Sequence, residues 1–321
     1  VGKYIIIGLT GVLVIAVNTN FLIWAAFLAC MVLFVFPLFL LGTVTPSLAR
    51  VSVKSLDESG RTVGALGAWN TVGSIIGTFL PTFVTIPAVG TAVTFLIFSG
   101  ILLVIGIVYF ISVHKKKTSV IISAVIYILC SVFGNTDSFA FWEKDLVYEG
   151  ESVYNYLQVR DTAQATILST NVLFGVQSMR MKSGGLTGMY YDCAMAAPVM
   201  AGFAEKEAPT ALVLGMGTGT WAMMLREYFP GAQVEGVEID GDIVDLAYGY
   251  FALDKDIPVS TYDGRAYLQA VDGTWDCIMV DAYRDISIPF SMSSVEFFTL
   301  VREHLNPGGV MVVNLNMRGK K

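Results

Sequence analysis

ALVLGMGTGTWAMMLREYFPGAQVEGVEID, residues 211–240, is the stretch whose reading decides the fold. It opens on the apolar run ALVLG (211–215), which predicts a buried strand, and passes directly into the turn GMGTGT (215–220). Gly215, Gly217 and Gly219 let the backbone bend sharply and approach a ligand with no Cβ in the way. A helix is predicted from near Trp221, then a second strand, QVEGVEI, at 233–239. Glu238 ends that strand nineteen residues after Gly219, where a carboxylate can accept both hydrogen bonds of a ribose diol. A glycine turn alone is weak evidence. With an acidic strand end at this spacing, it points to a nucleoside.

Downstream the alternation continues with predicted strands PVSTYD (258–263), DCIMVD (276–281) and GVMVVNL (309–315), separated by helical stretches. That pattern predicts a parallel, Rossmann-like α/β sheet. Ligands of such open sheets lie beyond the carboxyl ends of the strands, so Glu238, Asp263 and Asp281 are expected to face one crevice. Asp263 would accept a hydrogen bond from an adenine amino group. Folds of this kind usually add two further strands, so more sequence is expected after Lys321. On the other side, residues 147–200 alternate short β-prone stretches (VYNYLQV, ATILST, LFGVQSMRM) with the turn SGG at 183–185, which predicts a small β-hairpin subdomain.

The chain of 321 residues is 55% hydrophobic and only 14% charged, with a mean hydropathy of +0.65, so part of it belongs in lipid. Residues 1–133 hold seven Lys or Arg against two acidic residues, and the remaining 188 hold 13 against 24. Such an acidic second half excludes a nucleic-acid partner, which needs clustered cations. Five apolar segments read as membrane spans, at 4–19, 21–42, 64–86, 91–113 and 118–133, with the bilayer as partner. Gly64, Gly67, Gly73 and Gly77 give one helix a smooth stripe, read as tight packing against a neighbour. Lys3, Arg50, Lys54, Arg61, His114 and Lys115 to Lys117 should face the cytoplasm. Five crossings would then put the second half outside, whereas the supply of adenosyl cofactors argues for the cytoplasm. Both arrangements stay open. Val1 enters an apolar run almost at once, so upstream sequence is expected. The expected domains are 1–133, transmembrane; 134–205, the small β-rich subdomain; and 206–321, the nucleoside-binding domain. Cys30, Cys130, Cys193 and Cys277 show no metal-ligand spacing and are expected to be buried thiols. With His114 and His304 the only histidines, no metal site is expected.

YEGESVYNYLQV, LFGVQS, LTGMYYDCAM, VLGMGTGT, VEGVEID, TYDGRAYL, WDCIMVDAY and LNPGGVMVVN, in this order, resemble the spermidine synthase (polyamine aminopropyltransferase) family. PLFLLGTVTPSLAR, followed by GALGAWNTVGSIIGTFLPTF, resembles the anchor of its membrane-fused branch. The resemblance implies a class I methyltransferase-type domain and allows a homodimer. It also implies a donor, decarboxylated S-adenosylmethionine or S-adenosylmethionine, a small-molecule amine acceptor, and methylthioadenosine as product. By the same resemblance Gln177 and Glu238 would hold the sulfonium nucleoside, Asp263 with Gly264 the adenine, and Asp281 would be the base. An amine with a pKa of about 10 cannot attack carbon until it loses a proton, which is the reason for a base.

The acceptor side departs from the family pattern. Asn155 follows Tyr154 in place of a Gln, Tyr191 and Asp192 replace a His-Glu pair, Thr218 replaces an Asp, and Arg284, after Tyr283, stands where a second Asp would help hold the acceptor. These six positions (Asn155, Tyr191, Asp192, Thr218, Tyr283, Arg284) are the expected acceptor contacts. With carboxylates lost and a cation gained, a dicationic amine should bind poorly, and the acceptor is expected to differ or to carry an anionic group for Arg284. Thr218 would also no longer repel the carboxylate of intact S-adenosylmethionine. Two other functions need the same glycine turn: a methyltransferase, and a transporter or sensor that binds the nucleoside without turnover.

Overall fold

A computed structural model of the chain describes residues 24, 27–28, 30–53, 55–112, 117–134, 143–171, 175–282 and 288–315. The chain divides into two compact units, Val1–Asp137 and Ser138–Lys321, close to the boundary expected at 133/134.

The first unit is helical: α1 (Phe36–Gly42), α2 (Val44–Ser52), α3 (Leu56–Leu80), α4 (Ile86–Ser112) and α5 (Lys117–Gly134). Wider π turns at Met31–Val35 and Pro81–Thr85 precede α1 and α4. Pro37 and Pro87 follow them by two residues, and a proline that cannot donate to the carbonyl four residues back loosens the helix there. Inside α4 the backbone leaves helical geometry at Gly90 (φ 77°, ψ 169°), between the two segments expected as separate spans. Thr94 reaches across this break, donating from its hydroxyl to the Gly90 carbonyl at 2.8 Å. The stretch Asp57–Ser112, whose most apolar 18 residues have a mean hydropathy of 2.6, is the one helical run among the described residues long and apolar enough to cross a membrane, and Val120–Val132 is apolar but shorter. The expected span at 4–19, with Lys3, Lys54, His114, Lys115 and Lys116, lies outside the described residues.

Two expectations for this unit need correction. A Cβ added at Gly64, Gly67, Gly73 or Gly77 would meet nothing within 4 Å, so the smooth stripe is not packed against another described helix. The close helix contact is instead at Gly100, where Tyr127 of α5 lies over the bare backbone and donates to the Leu96 carbonyl at 2.9 Å. The cysteines are all free thiols, but only Cys277 is buried; Cys30, Cys130 and Cys193 are exposed.

The second unit opens with an antiparallel meander, β1 (Leu146–Glu151), β2 (Tyr156–Asp161), β3 (Ala165–Thr170) and β4 (Ser178–Met181), in spatial order 1-2-3-4. Two short helices, α6 (Tyr190–Ala194) and α7 (Ala196–Met200), lead into strand and helix in alternation: β5 (Thr210–Leu214), α8 (Thr220–Tyr228), β6 (Gln233–Glu238), α9 (Gly241–Tyr250), β7 (Val259–Thr261), α10 (Gly264–Ala270), β8 (Trp275–Val280), α11 (Val295–Glu303) and β9 (Leu305–Val313). The five strands are parallel in the order β7-β6-β5-β8-β9. The last strand begins earlier than its sequence predicts. Leu305 pairs with Trp275, and the register then slips through Asn-Pro-Gly-Gly before Val310 pairs with Cys277.

Beyond Thr210 and Asp276 at their amino ends, the central strands β5 and β8 are apolar because both faces are covered. Ala211, Val213, Cys277 and Met279 enter one core with Trp221 and Leu225 of α8, while Leu212, Leu214, Ile278 and Val280 enter the other with Leu268 of α10 and Phe297 of α11. A third core joins Leu157, Val159 and Leu168 of the meander to Ile243 and Leu246 of α9. With Phe251, burying these six side chains is worth roughly 9–18 kcal/mol at about 1.5–3 kcal/mol each. The meander is thereby seated on the helix that follows Glu238.

Candidate active site

Parallel strands all end on the same side of the sheet, so the residues just past β5, β6, β7, β8 and β9 line one edge. The turn after β5 is left-handed at three glycines, with φ of 86° at Gly215, 53° at Gly217 and 82° at Gly219. Each is also crowded. A Cβ at Gly215 would lie 2.5 Å from the Asp281 carbonyl oxygen, and one at Gly217 would lie 2.7 Å from Ser178 Oγ of β4. The turn is thus clamped between the end of β8 and the meander.

Glu238, the last residue of β6, is buried and turned toward this turn: its Oε2 accepts from the Gly217 N–H at 2.8 Å and its Oε1 from the Asp240 N–H at 3.2 Å. Burial pushes its pKa up, against the pull of those two N–H groups. Each carboxylate oxygen retains a further lone pair, so the pair can still accept from a diol. On the next strand, the Tyr262 N–H donates to the Glu238 carbonyl at 3.0 Å, which sets Asp263 beside it. Asp263 is exposed and caps α10, its Oδ1 accepting from the Ala266 N–H at 2.8 Å. Gly264 packs over Leu214, immediately before the glycine turn.

Asp281 follows β8, and its N–H donates to the Leu214 carbonyl at 2.8 Å. Its carboxylate receives two side-chain donors, the Tyr190 hydroxyl on Oδ2 and Asn314 Nδ2 on Oδ1 at 2.9 Å. Burial raises its pKa to about 6, although both donors pull it down. From Asp263 past Glu238 and Gly215 to Asp281 the edge crosses four strands, roughly 14 Å at the usual strand spacing.

The remaining expected residues fall into different places. Gln177, half-buried just before β4, makes no side-chain hydrogen bond to another described residue, and its carbonyl accepts from the Tyr191 hydroxyl at 2.9 Å. Four of the expected acceptor positions lie among the described residues. Tyr191 is a core residue, 4% exposed, with its hydroxyl spent on that carbonyl. Asp192 closes on its own loop, where Oδ1 accepts from the Thr187 N–H and hydroxyl and Oδ2 from the Gly188 N–H. Thr218, 2% exposed, lies under β4 with its N–H on Ser178 Oγ at 3.3 Å. Asn155 donates to Asp240 Oδ2 at 2.8 Å and accepts from Asn171 Nδ2 at 2.9 Å, so its amide is held beside the residues that follow β6. Tyr283 and Arg284 lie outside the described residues. Among those described, no group of three or more His, Cys, Asp or Glu could hold a metal ion.

Sequence reading missed Tyr190, Asn314, Asp240 and Ser178. Tyr190 had a signal, since it stands next to Tyr191 in the motif that carries the resemblance; Asn314 likewise ends the quoted stretch LNPGGVMVVN.

Residues 195–317, a stretch that begins just before α7 and runs past β9, match the spermine/spermidine synthase domain. The chain carries a spermidine synthase domain. Over 211 residues it is 60% identical to a probable polyamine aminopropyl transferase of Bifidobacterium longum, a match that covers 66% of this chain and 46% of that relative. The chain thus spans about half the length of this curated relative. Over 121 residues the chain is 33% identical to an eEF1A lysine and N-terminal methyltransferase of Xenopus laevis, covering 34% of this chain and 18% of that protein. A probable spermidine synthase from Corynebacterium glutamicum has a solved structure with 21% identity and a TM-score of 0.46, covering 52% of this chain and 62% of that one. The spermidine synthase domain therefore contains the whole strand-end edge, while the meander carrying Gln177 and Asn155 precedes the matched residues.

Proposed function

We propose that the chain is a membrane-bound transferase that moves an aminopropyl or related alkyl group from a sulfonium nucleoside to an amine. The donor is decarboxylated S-adenosylmethionine or S-adenosylmethionine. The observation that carries this reading is Asp281: a carboxylate at the strand end beside the glycine turn, held by Tyr190 and Asn314, with its pKa raised to about 6.

Glu238 accepts from the ribose hydroxyls, Asp263 and Gly264 bound the adenine, and Gln177 faces the sulfonium side. Asp281 is ionised at neutral pH and takes a proton from the acceptor ammonium, whose pKa of about 10 otherwise blocks attack. Its raised pKa narrows the gap to that ammonium. The freed nitrogen lone pair forms a bond to the carbon next to sulfur, the C–S bond breaks, and its electron pair stays on sulfur as methylthioadenosine. Holding nitrogen, carbon and sulfur in line is the main contribution of the site. Arg284 supports an acceptor with an anionic group. The helical unit is a multi-span anchor, and the supply of adenosyl cofactors supports a cytoplasmic active site.

A methyltransferase is the second reading, favoured by the 33% identity to the Xenopus protein. The full chain, given either donor and a panel of amines, is expected to release methylthioadenosine. Release of adenosylhomocysteine instead would overturn alkyl transfer in favour of methyl transfer. Nucleoside binding with no product would point to a binder without turnover.

A further inference from the structure

We infer that Asp240, with Ser152 and Asn155 behind it, is a positioning device for the ribose carboxylate, so that the meander sets how tightly the nucleoside is held. This deepens the proposed function and rests on it.

Asp240 is 1% exposed and lies two residues past the end of β6. A buried carboxylate is costly unless each oxygen is met by donors. Here three meet it: the Asp242 N–H on Oδ1 at 3.2 Å, Ser152 Oγ on Oδ2 at 2.6 Å and Asn155 Nδ2 on Oδ2 at 2.8 Å. The first is the ordinary cap of α9. The other two come from the β1–β2 turn, more than eighty residues earlier, and a helix cap does not require them.

That turn is itself fixed. Ser152 Oγ accepts from the Tyr154 N–H at 3.1 Å and the Asn155 N–H at 2.8 Å, and Asn155 Oδ1 accepts from Asn171 Nδ2. Asn171 in turn accepts the Tyr156 N–H on its Oδ1 at 2.8 Å, with its own backbone in the left-handed region at φ 44°. The polar chain therefore runs from the end of β3, through the β1–β2 turn, to Asp240. Its last link is the Asp240 N–H on Glu238 Oε1. Of the backbone donors to Glu238, Gly217 meets one oxygen and Asp240 the other, and the angle between these two helps fix the carboxylate plane. Releasing Asp240 from the meander lets that plane rotate, and a diol needs both oxygens in register.

The test is a ligand cycle on the full chain. Binding of methylthioadenosine and of its 2′,3′-dideoxy counterpart is measured by calorimetry for the unsubstituted protein, Asn155→Ala and Ser152→Ala, with each melting temperature recorded. The expected result is about tenfold weaker binding of methylthioadenosine in both variants and less than twofold change for the dideoxy compound. With amine held saturating, KM for the donor should rise with kcat little changed. Equal weakening of both ligands, or of neither, overturns the inference, because a merely structural role does not distinguish a diol from its absence. Should Asn155→Ala not fold, Ser152→Ala removes a donor to the same oxygen and carries the test alone. If the unsubstituted chain binds neither nucleoside, the proposed function fails and this inference with it; binding indifferent to the substitutions sinks the inference only.

Discussion

The two ends of strand β8 carry one aspartate each, and their surroundings drive them in opposite directions. Asp276, at the amino end, meets Lys206 Nζ at 2.7 Å, the Thr210 N–H at 2.9 Å, and Asn306 Nδ2 at 3.0 Å. Burial pushes its pKa up, but the ammonium, the backbone donor and the amide outweigh it and bring it down to about 2. Asp281, just past the carboxyl end, has an asparagine from the same neighbouring strand and a tyrosine, but no cation among the described residues, and burial carries it up to about 6. A lysine and a backbone donor at Asp276, set against burial that prevails at Asp281, thus separate a carboxylate that ties the sheet to the preceding loop from one able to exchange a proton near neutrality.

The strongest way to break this comparison is Asp281→Asn. Turnover should fall by about a thousandfold while methylthioadenosine binding, read by calorimetry, changes little. Retained turnover would remove Asp281 from the chemistry. Next is Asp276→Ala, which should lower the unfolding free energy of the second unit by about 2 kcal/mol and leave nucleoside affinity alone. The pH dependence follows from the depressed pKa: Asp276 stabilises fully above about 4, and that contribution is lost as pH falls from 4 toward 2. Urea titrations across that range, with and without the substitution, should converge at the acid end.

The subtlest effect concerns the pH profile. Since Asp281 must be ionised to take a proton, kcat/KM should rise through pH of about 6. The Tyr190 hydroxyl lowers that pKa, so Tyr190→Phe should move the rising limb to higher pH, with an unmoved limb counting against Asp281 as the titrating group. The same raised pKa makes ionised Asp281 a small cost to folding: the native state holds its proton more firmly than the unfolded chain, so its share of stability is present at low pH and declines between about 4 and 6.

Sequence was most legible where pattern is local. The apolar runs at β5, β6 and β8, the glycines between β5 and α8, and the carboxylates that close strands all follow from backbone periodicity and sterics within a few residues. The surroundings of the expected acceptor positions were not legible, because a side chain's direction there is set by tertiary packing. Tyr190 and Tyr191 are adjacent, yet one turns to Asp281, 91 residues away, and the other into the core. Asp192 looks free in sequence, but the Thr187–Gly188 turn folds its N–H groups back onto it. Asn155 could not be assigned without knowing that the meander sits on α9. In the helical unit, hydropathy identified apolar segments, while Pro81 and Gly90 decide where a long run bends.

At Gly215 the space for a methyl group is already taken by the Asp281 carbonyl. The glycine bend and the proposed base are therefore mechanically coupled, and neither can shift without dragging the other. A donor settling into the cleft would be felt at once where the acceptor must arrive.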